Sequence, residues 1–151
     1  MKILKWIGVI ALGIPVLLVA SIYIRNKAVG PQGWAEDDTI RKLQAKMKDP
    51  DSMVIRSSFF VRVNKGDHTE IRMCGIVDGK NSFGGYTGGS RFVSVSRSYK
   101  DTFSNFIVEL DDSSASDRAA AERIGTVTPF EKVYWNEYCV DESHPALVPS
   151  T

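Results

Sequence analysis

The stretch MVIRSSFFVRVNKGDHTEIRMCGIV, residues 53–77, decides the fold. In its first half, apolar side chains alternate with polar ones that include Arg56 and Arg62. This period of two predicts a half-buried β-strand. The tetrapeptide NKGD at 64–67 predicts a hairpin turn, and a second alternating run follows it. We therefore expect an antiparallel hairpin at the centre of the domain.

Further elements are predicted on both sides of this hairpin from apolar periodicity, helix caps and turn residues. They are a helix at 35–50, strands at 90–98 and 105–110, and helices at 117–125 and 128–139. The last helix opens with a capping box, in which Thr128 caps the chain and Glu131 closes the box. We expect an α+β fold, with one helix packed on an antiparallel sheet of about four strands, then two short C-terminal helices. Helices on one face of the sheet would make a two-layer domain.

An apolar segment precedes this domain. The uncharged run at 6–24 has 19 residues, which at 1.5 Å per residue cover most of a hydrocarbon core of roughly 30 Å. We therefore expect a transmembrane anchor within 1–27, a short Gly/Pro linker at 28–35, and an α+β domain at 36–151. A signal peptide that is cleaved to release the domain is the alternative.

The short N-terminal flank of this anchor favours a single-pass protein of a bacterial inner membrane, with its domain in the periplasm or outside. Cys74 and Cys139 are the two cysteines, and an even number in an exported domain favours a disulfide bond between them. Buried free thiols in a cytosolic domain are the alternative. Pairing would join the second strand to the end of the last helix.

The charge distribution argues against a nucleic-acid partner. Residues 1–27 carry four basic and no acidic residues, and the rest of the chain carries 15 basic and 18 acidic residues, a net charge of −3. Binding to nucleic acid depends on a basic surface that releases counterions from the phosphates, and this domain lacks such an excess. We therefore expect a membrane contact through residues 6–24 and an envelope protein as the partner.

The glycine-rich stretch KNSFGGYTGGSRF, residues 80–92, resembles a phosphate-binding loop only in its glycine content. A P-loop carries its lysine after the glycines and opens a helix, whereas here Lys80 precedes them and a strand follows. The sequence predicts neither a cofactor nor a metal site. It predicts no catalytic residue either, although a small envelope hydrolase using Glu109, Asp78 or His68 is the alternative function.

The same stretch offers a candidate contact surface. It sets aromatic side chains among glycines, and the candidate partner-binding residues are Lys80, Asn81, Phe83, Tyr86, Arg91 and Phe92. The alternative is that the rings fold back onto the sheet while the glycines supply backbone conformations with positive φ. In the first case the loop recognises a partner, and in the second it only connects two strands.

Residues 47–93 contain a DPDS turn before a strand and, later, CGIVDGKNSFGGYTG. This pattern resembles that of small exported bacterial and prophage-encoded proteins of unknown function. The resemblance implies a secreted or anchored α+β domain and no particular activity. The chain departs from the pattern because its anchor has no lipid-modified cysteine. Together these features predict a non-catalytic, membrane-anchored binding or accessory domain.

Overall fold

A computed structural model of the chain describes residue 19 and residues 29–149. The chain divides into two compact units, Met1–Trp34 and Ala35–Thr151. Apart from residue 19, the predicted span at 6–24 lies outside the described residues. Within the described part, no helix combines the length and the apolarity that crossing a membrane requires.

In the first unit, residues 29–34 are helical, although we expected a non-helical linker from 28 to 35. Gly30 has a left-handed backbone, with φ 64°. Pro31 follows it. Proline suits the first turn of a helix because its fixed φ is helical and its missing N–H would have no partner there. The Gly30–Pro31 pair thus lies within a helical stretch where we had expected a linker.

The second unit is an α+β domain with a four-stranded antiparallel sheet in the order β1-β2-β3-β4, as predicted. It opens with helix α1, residues 35–46. A 3₁₀ turn at Pro50–Ser52 precedes β1 (Val54–Asn64), β2 (Thr69–Asp78), β3 (Ser90–Ser98), β4 (Phe103–Leu110) and helix α2 (Ala115–Arg123). The C-terminal helix, residues 129–138, is π-helical over Glu131–Trp135 and α-helical over Asn136–Tyr138.

Helices cover both faces of the sheet, so the two-layer expectation was wrong. On one face, which we call the Leu43 face, the buried core consists of Leu43 from α1 with Met73, Val77, Phe92 and Val108. On the opposite Cys74 face, it consists of Cys74, Val93, Val95, Phe130 and Cys139. The two central strands are buried on both faces, since consecutive residues of β2 and of β3 are buried.

A disulfide bond joins Cys74 on β2 to Cys139 at the end of the C-terminal helix, as the sequence predicted. Both cysteines are fully buried, and their Cα atoms are 5.9 Å apart. The bond therefore ties the helix on the Cys74 face to a central strand of the sheet.

Candidate functional site

The glycine-rich connection between β2 and β3, residues 79–89, is a compact loop with its own pairing. We call it the Phe83 loop. Lys80 and Tyr86 pair across it in an isolated antiparallel bridge. The Gly79 carbonyl also accepts a hydrogen bond of 3.3 Å from the Thr87 N–H. The two sides of the loop are therefore paired, and its tip, residues 81–85, lies beyond the paired residues.

Asn81 fixes the shape of this tip. Its N–H donates to the Gly85 carbonyl at 2.8 Å, and its own carbonyl accepts from the Gly84 N–H at 2.9 Å. Its side-chain Oδ1 accepts from the N–H groups of Phe83 (2.9 Å) and Gly85 (3.2 Å). Gly84 has φ 81°, a left-handed conformation that favours glycine. Asn81, predicted as a contact residue, thus lies in the loop as the residue that shapes it.

Asp78 fastens the base of the loop to the sheet. Its Oδ1 accepts hydrogen bonds from the N–H groups of Gly79 (2.8 Å) and Thr87 (3.1 Å), and from the Thr87 hydroxyl (3.2 Å). Its Oδ2 accepts from Nη2 of Arg56 at 2.9 Å. Burial of this carboxylate raises its pKa, but the hydrogen bonds from Arg56, Gly79 and Thr87 outweigh that effect, so the pKa lies below its ordinary value of 3.8.

This lowered pKa predicts that acid loosens the loop. As the pH falls, the unfolded chain binds a proton at Asp78 near the ordinary pKa of 3.8, whereas the folded chain binds it only at a lower pH. The contribution of Asp78 to stability is therefore complete above that pH and is lost as the pH falls through the folded-state pKa. We expect Asp78→Asn to reduce the loss of melting temperature on acidification, measured by calorimetry from pH 7 downward. Parallel curves for the two proteins would show that Asp78 is not coupled to folding.

The aromatic side chains of the loop point into solvent. Phe83, at the tip, is 97% exposed, and Tyr86 is 47% exposed. The Tyr86 ring lies against two cations: the Arg56 guanidinium carbon is 5.0 Å from the ring centroid, and Lys80 Nζ is 5.8 Å from it. The alternative in which the rings fold back onto the sheet therefore fails for Phe83. Lys80, Asn81, Phe83 and Tyr86 do come together on one loop.

Phe92 does not share this surface. It is fully buried on the Leu43 face, because β3 pairs it with Gly75 of β2, where no side chain competes for the space. A Cβ atom added to Gly75 would lie 3.0 Å from the Phe92 ring. Phe92 is therefore a core residue, and its assignment as a contact residue is corrected.

Arg91 also lies apart from the loop tip, on the Cys74 face. Its Nη2 donates to Asp111 Oδ2 and to Glu131 Oε1, both at 2.7 Å. Its guanidinium carbon is 5.5 Å from the centroid of the Trp135 ring. Arg91 thus links β3 to the end of β4 and to the C-terminal helix. These contacts give it a structural role instead of the predicted partner contact.

The three residues of the hydrolase alternative do not converge. His68 precedes β2 and Asp78 ends it, so about ten residues of strand, roughly 30 Å, separate them. Glu109, on β4, forms an ion pair of 3.1 Å with Lys46. A cavity of about 300 Å³ beside α2 is lined by residues that include Arg118 but none of these three. The geometry gives them no shared site.

Sequence reasoning missed Arg56, which contacts both Asp78 and the Tyr86 ring. A register shift between Ile55 and Ser57 interrupts the regular pairing of β1 with β2 at this point. Such bulges redirect a side chain, and strict alternation cannot reveal them. The one signal of this bulge in the sequence is the pair of serines after Arg56, which interrupts the alternation of apolar residues.

Comparison of the chain with protein-family models, with curated proteins and with solved structures finds no match. The resemblance of residues 47–93 to small exported proteins therefore stays a prediction.

Proposed function

We propose that this chain is a membrane-anchored, non-catalytic binding domain of a bacterial or phage envelope, and that it contacts its partner through the Phe83 loop. The observation that carries the proposal is the 97% exposure of Phe83 at the tip of a hydrogen-bonded loop. A ring this exposed contributes little to packing, and leaving it in water forgoes the free energy of burial. Contact with a partner would recover that free energy.

The fixed shape of the loop supports the same proposal. Hydrogen bonds to Asn81 hold the tip, and those to Asp78 hold the base. A loop that is already ordered loses less conformational entropy when it binds. Aromatic anchors on rigid supports are common centres of binding energy. The loop thus combines an anchor with the preorganisation that makes an anchor effective.

The sequence and the disulfide bond support the location. The uncharged run at 6–24 is long enough to serve as an anchor, with basic residues on both flanks. The Cys74–Cys139 bond is of the kind that persists in oxidising compartments such as the periplasm. Both features favour a domain held on the outer side of the bacterial inner membrane.

Phe83→Ala is expected to weaken partner capture about ten-fold or more while leaving stability nearly unchanged. The ring is exposed, so the free energy of unfolding should change by no more than about 0.5 kcal/mol. The measurement is chemical cross-linking in intact cells that express the full chain, followed by mass spectrometry of both the cross-linked proteins and the cross-linked phospholipids, alongside thermal unfolding.

Ile124→Ala is the matched control, because Ile124 is also an exposed apolar residue, at 77%, and lies at the end of α2. Its cross-linking pattern should equal that of the unmodified chain. Equal patterns for Phe83→Ala and Ile124→Ala would remove the Phe83 loop from the binding surface.

A further inference from the structure

The Phe83 loop is layered by chemistry from its tip to its base. The tip carries the exposed Phe83 ring among uncharged residues. The next layer carries Tyr86, with the cationic groups of Arg56 and Lys80 close to its ring. An apolar ring thus projects beyond an aromatic residue and two cations.

Acidic side chains lie only at the base. The loop itself, residues 79–89, contains Lys80 and no aspartate or glutamate. Asp78 is only 3% exposed, and its charge is paired with Arg56. Asp51 is an exposed acid near the base of the loop, because its neighbour Ser52 accepts the Lys80 N–H at 2.8 Å. The outer half of the loop therefore carries the positive charge of Lys80 and no acidic side chain, while the charges of Arg56 and Asp78 offset each other beneath it.

This arrangement disfavours a sugar as the ligand. Stacking on a sugar needs the open face of an aromatic ring, preferably of two. Cations already lie against the Tyr86 ring, so Phe83 is the one open ring of the loop. A single projecting ring inserts into an apolar medium more readily than it forms a platform.

We propose that the Phe83 loop docks on an anionic phospholipid surface, with the Phe83 ring among the acyl chains and Tyr86, Lys80 and Arg56 at the headgroups. The order of the layers matches the depth profile of a leaflet, because tyrosine and basic side chains favour the interface and apolar rings favour the interior. Basic residues gain free energy near anionic lipids. This inference rests on the proposed function and names the envelope component that the loop contacts.

One aromatic ring and two cations bind a lipid surface only weakly. A weak contact is sufficient here, because the proposed anchor already holds the chain at the membrane. A chain held at the membrane through residues 6–24 meets the lipid surface as an intramolecular event, at high effective concentration. The loop would then orient the domain on the bilayer and would not have to recruit it from solution.

The test uses the full chain with a nitrobenzoxadiazole label at position 83, introduced through Phe83→Cys, in vesicles of phosphatidylglycerol and phosphatidylethanolamine. The native cysteines are paired and buried, so the new thiol reacts alone. We expect a blue shift of the emission and quenching by spin-labelled acyl chains. Vesicles of phosphatidylcholine should show neither. The same label at Ile124→Cys should respond in neither composition.

Lys80→Gln in the labelled chain should reduce the ratio of lipid-bound to unbound loop by roughly five-fold. A basic residue near an anionic surface raises this ratio by about that factor. Equal signals at positions 83 and 124, or equal quenching in both lipids, would overturn the inference. A response at position 83 that needs added membrane proteins would overturn it too, in favour of a protein partner. The proposed function fails separately, when Phe83→Ala leaves every cross-link unchanged.

Discussion

Phe92→Ala is expected to lower the free energy of unfolding by about 3–5 kcal/mol, the usual cost of removing a buried phenylalanine ring. Phe92 is fully buried in the cluster with Leu43 and Met73. Its ring covers the side of β2 where Gly75 has no side chain, so the residue paired with Phe92 on that strand cannot fill the cavity. Denaturant unfolding monitored by circular dichroism would measure the loss.

Phe83→Ala provides the matched control, because it makes the same chemical change at a side chain that is 97% exposed. Its free energy of unfolding should stay within about 0.5 kcal/mol of the unmodified chain. A loss for Phe92→Ala as small as the loss expected for Phe83→Ala would mean that Phe92 does not lie in the core. Two phenylalanines nine positions apart in one glycine-rich stretch thus have opposite expected effects.

Sequence reasoning grouped these two phenylalanines because both lie in one glycine-rich stretch, and nothing in the strand that follows marked Phe92 as a core residue. The face of β3 that carries Phe92 continues with Ser94 and Ser96, so it reads as a polar face. In the structure both serines are buried, and Ser94 shares hydrogen bonds with Thr39 (2.6 Å) and Asn105 (2.8 Å). Thr39 lies on α1, far away in the sequence. Partners so distant cannot be recognised from periodicity, and a buried polar pair therefore looks exposed.

Features that depend on nearby residues were predicted well. The capping box of the C-terminal helix forms as expected, with the Thr128 N–H donating to Glu131 at 2.8 Å and the Glu131 N–H donating to the Thr128 hydroxyl at 3.3 Å. The hairpin of β1 and β2 is another such feature, since both strands and their turn lie within one short stretch. Local hydrogen bonds and apolar–polar alternation depend only on residues that are close together in the sequence.

The placement of helices on the two faces of the sheet depends on long-range packing and was missed. Alternation on β2 correctly put Met73 and Cys74 on opposite faces, but it does not say which helix covers which face. The disulfide prediction contained that information, because a bond from Cys74 to Cys139 requires the C-terminal helix on the Cys74 face. In the structure α1 covers the opposite face, where Leu43 packs against Met73.

Replacing both Cys74 and Cys139 with alanine is expected to lower the free energy of unfolding by roughly 4 kcal/mol. The bond joins positions 65 residues apart, so its loss restores a large conformational entropy to the unfolded chain. Stabilities of small domains are only about 5–15 kcal/mol, so the variant should unfold near physiological temperature. Calorimetry of the oxidised protein and of the double variant would measure the difference.

The unmodified chain, unfolded, reduced and kept in dithiothreitol, separates the effect of the bond from the effect of the substitutions. The reductant keeps the disulfide open and leaves every side chain in place, while the alanines also remove two buried sulfur atoms on the Cys74 face. The reduced chain should be at least as stable as the alanine variant, because it keeps the buried sulfur atoms whose removal leaves a cavity. A double variant as stable as the oxidised protein would contradict the entropic argument. It would also show that packing of Phe130 and its neighbours holds the C-terminal helix in place without the bond.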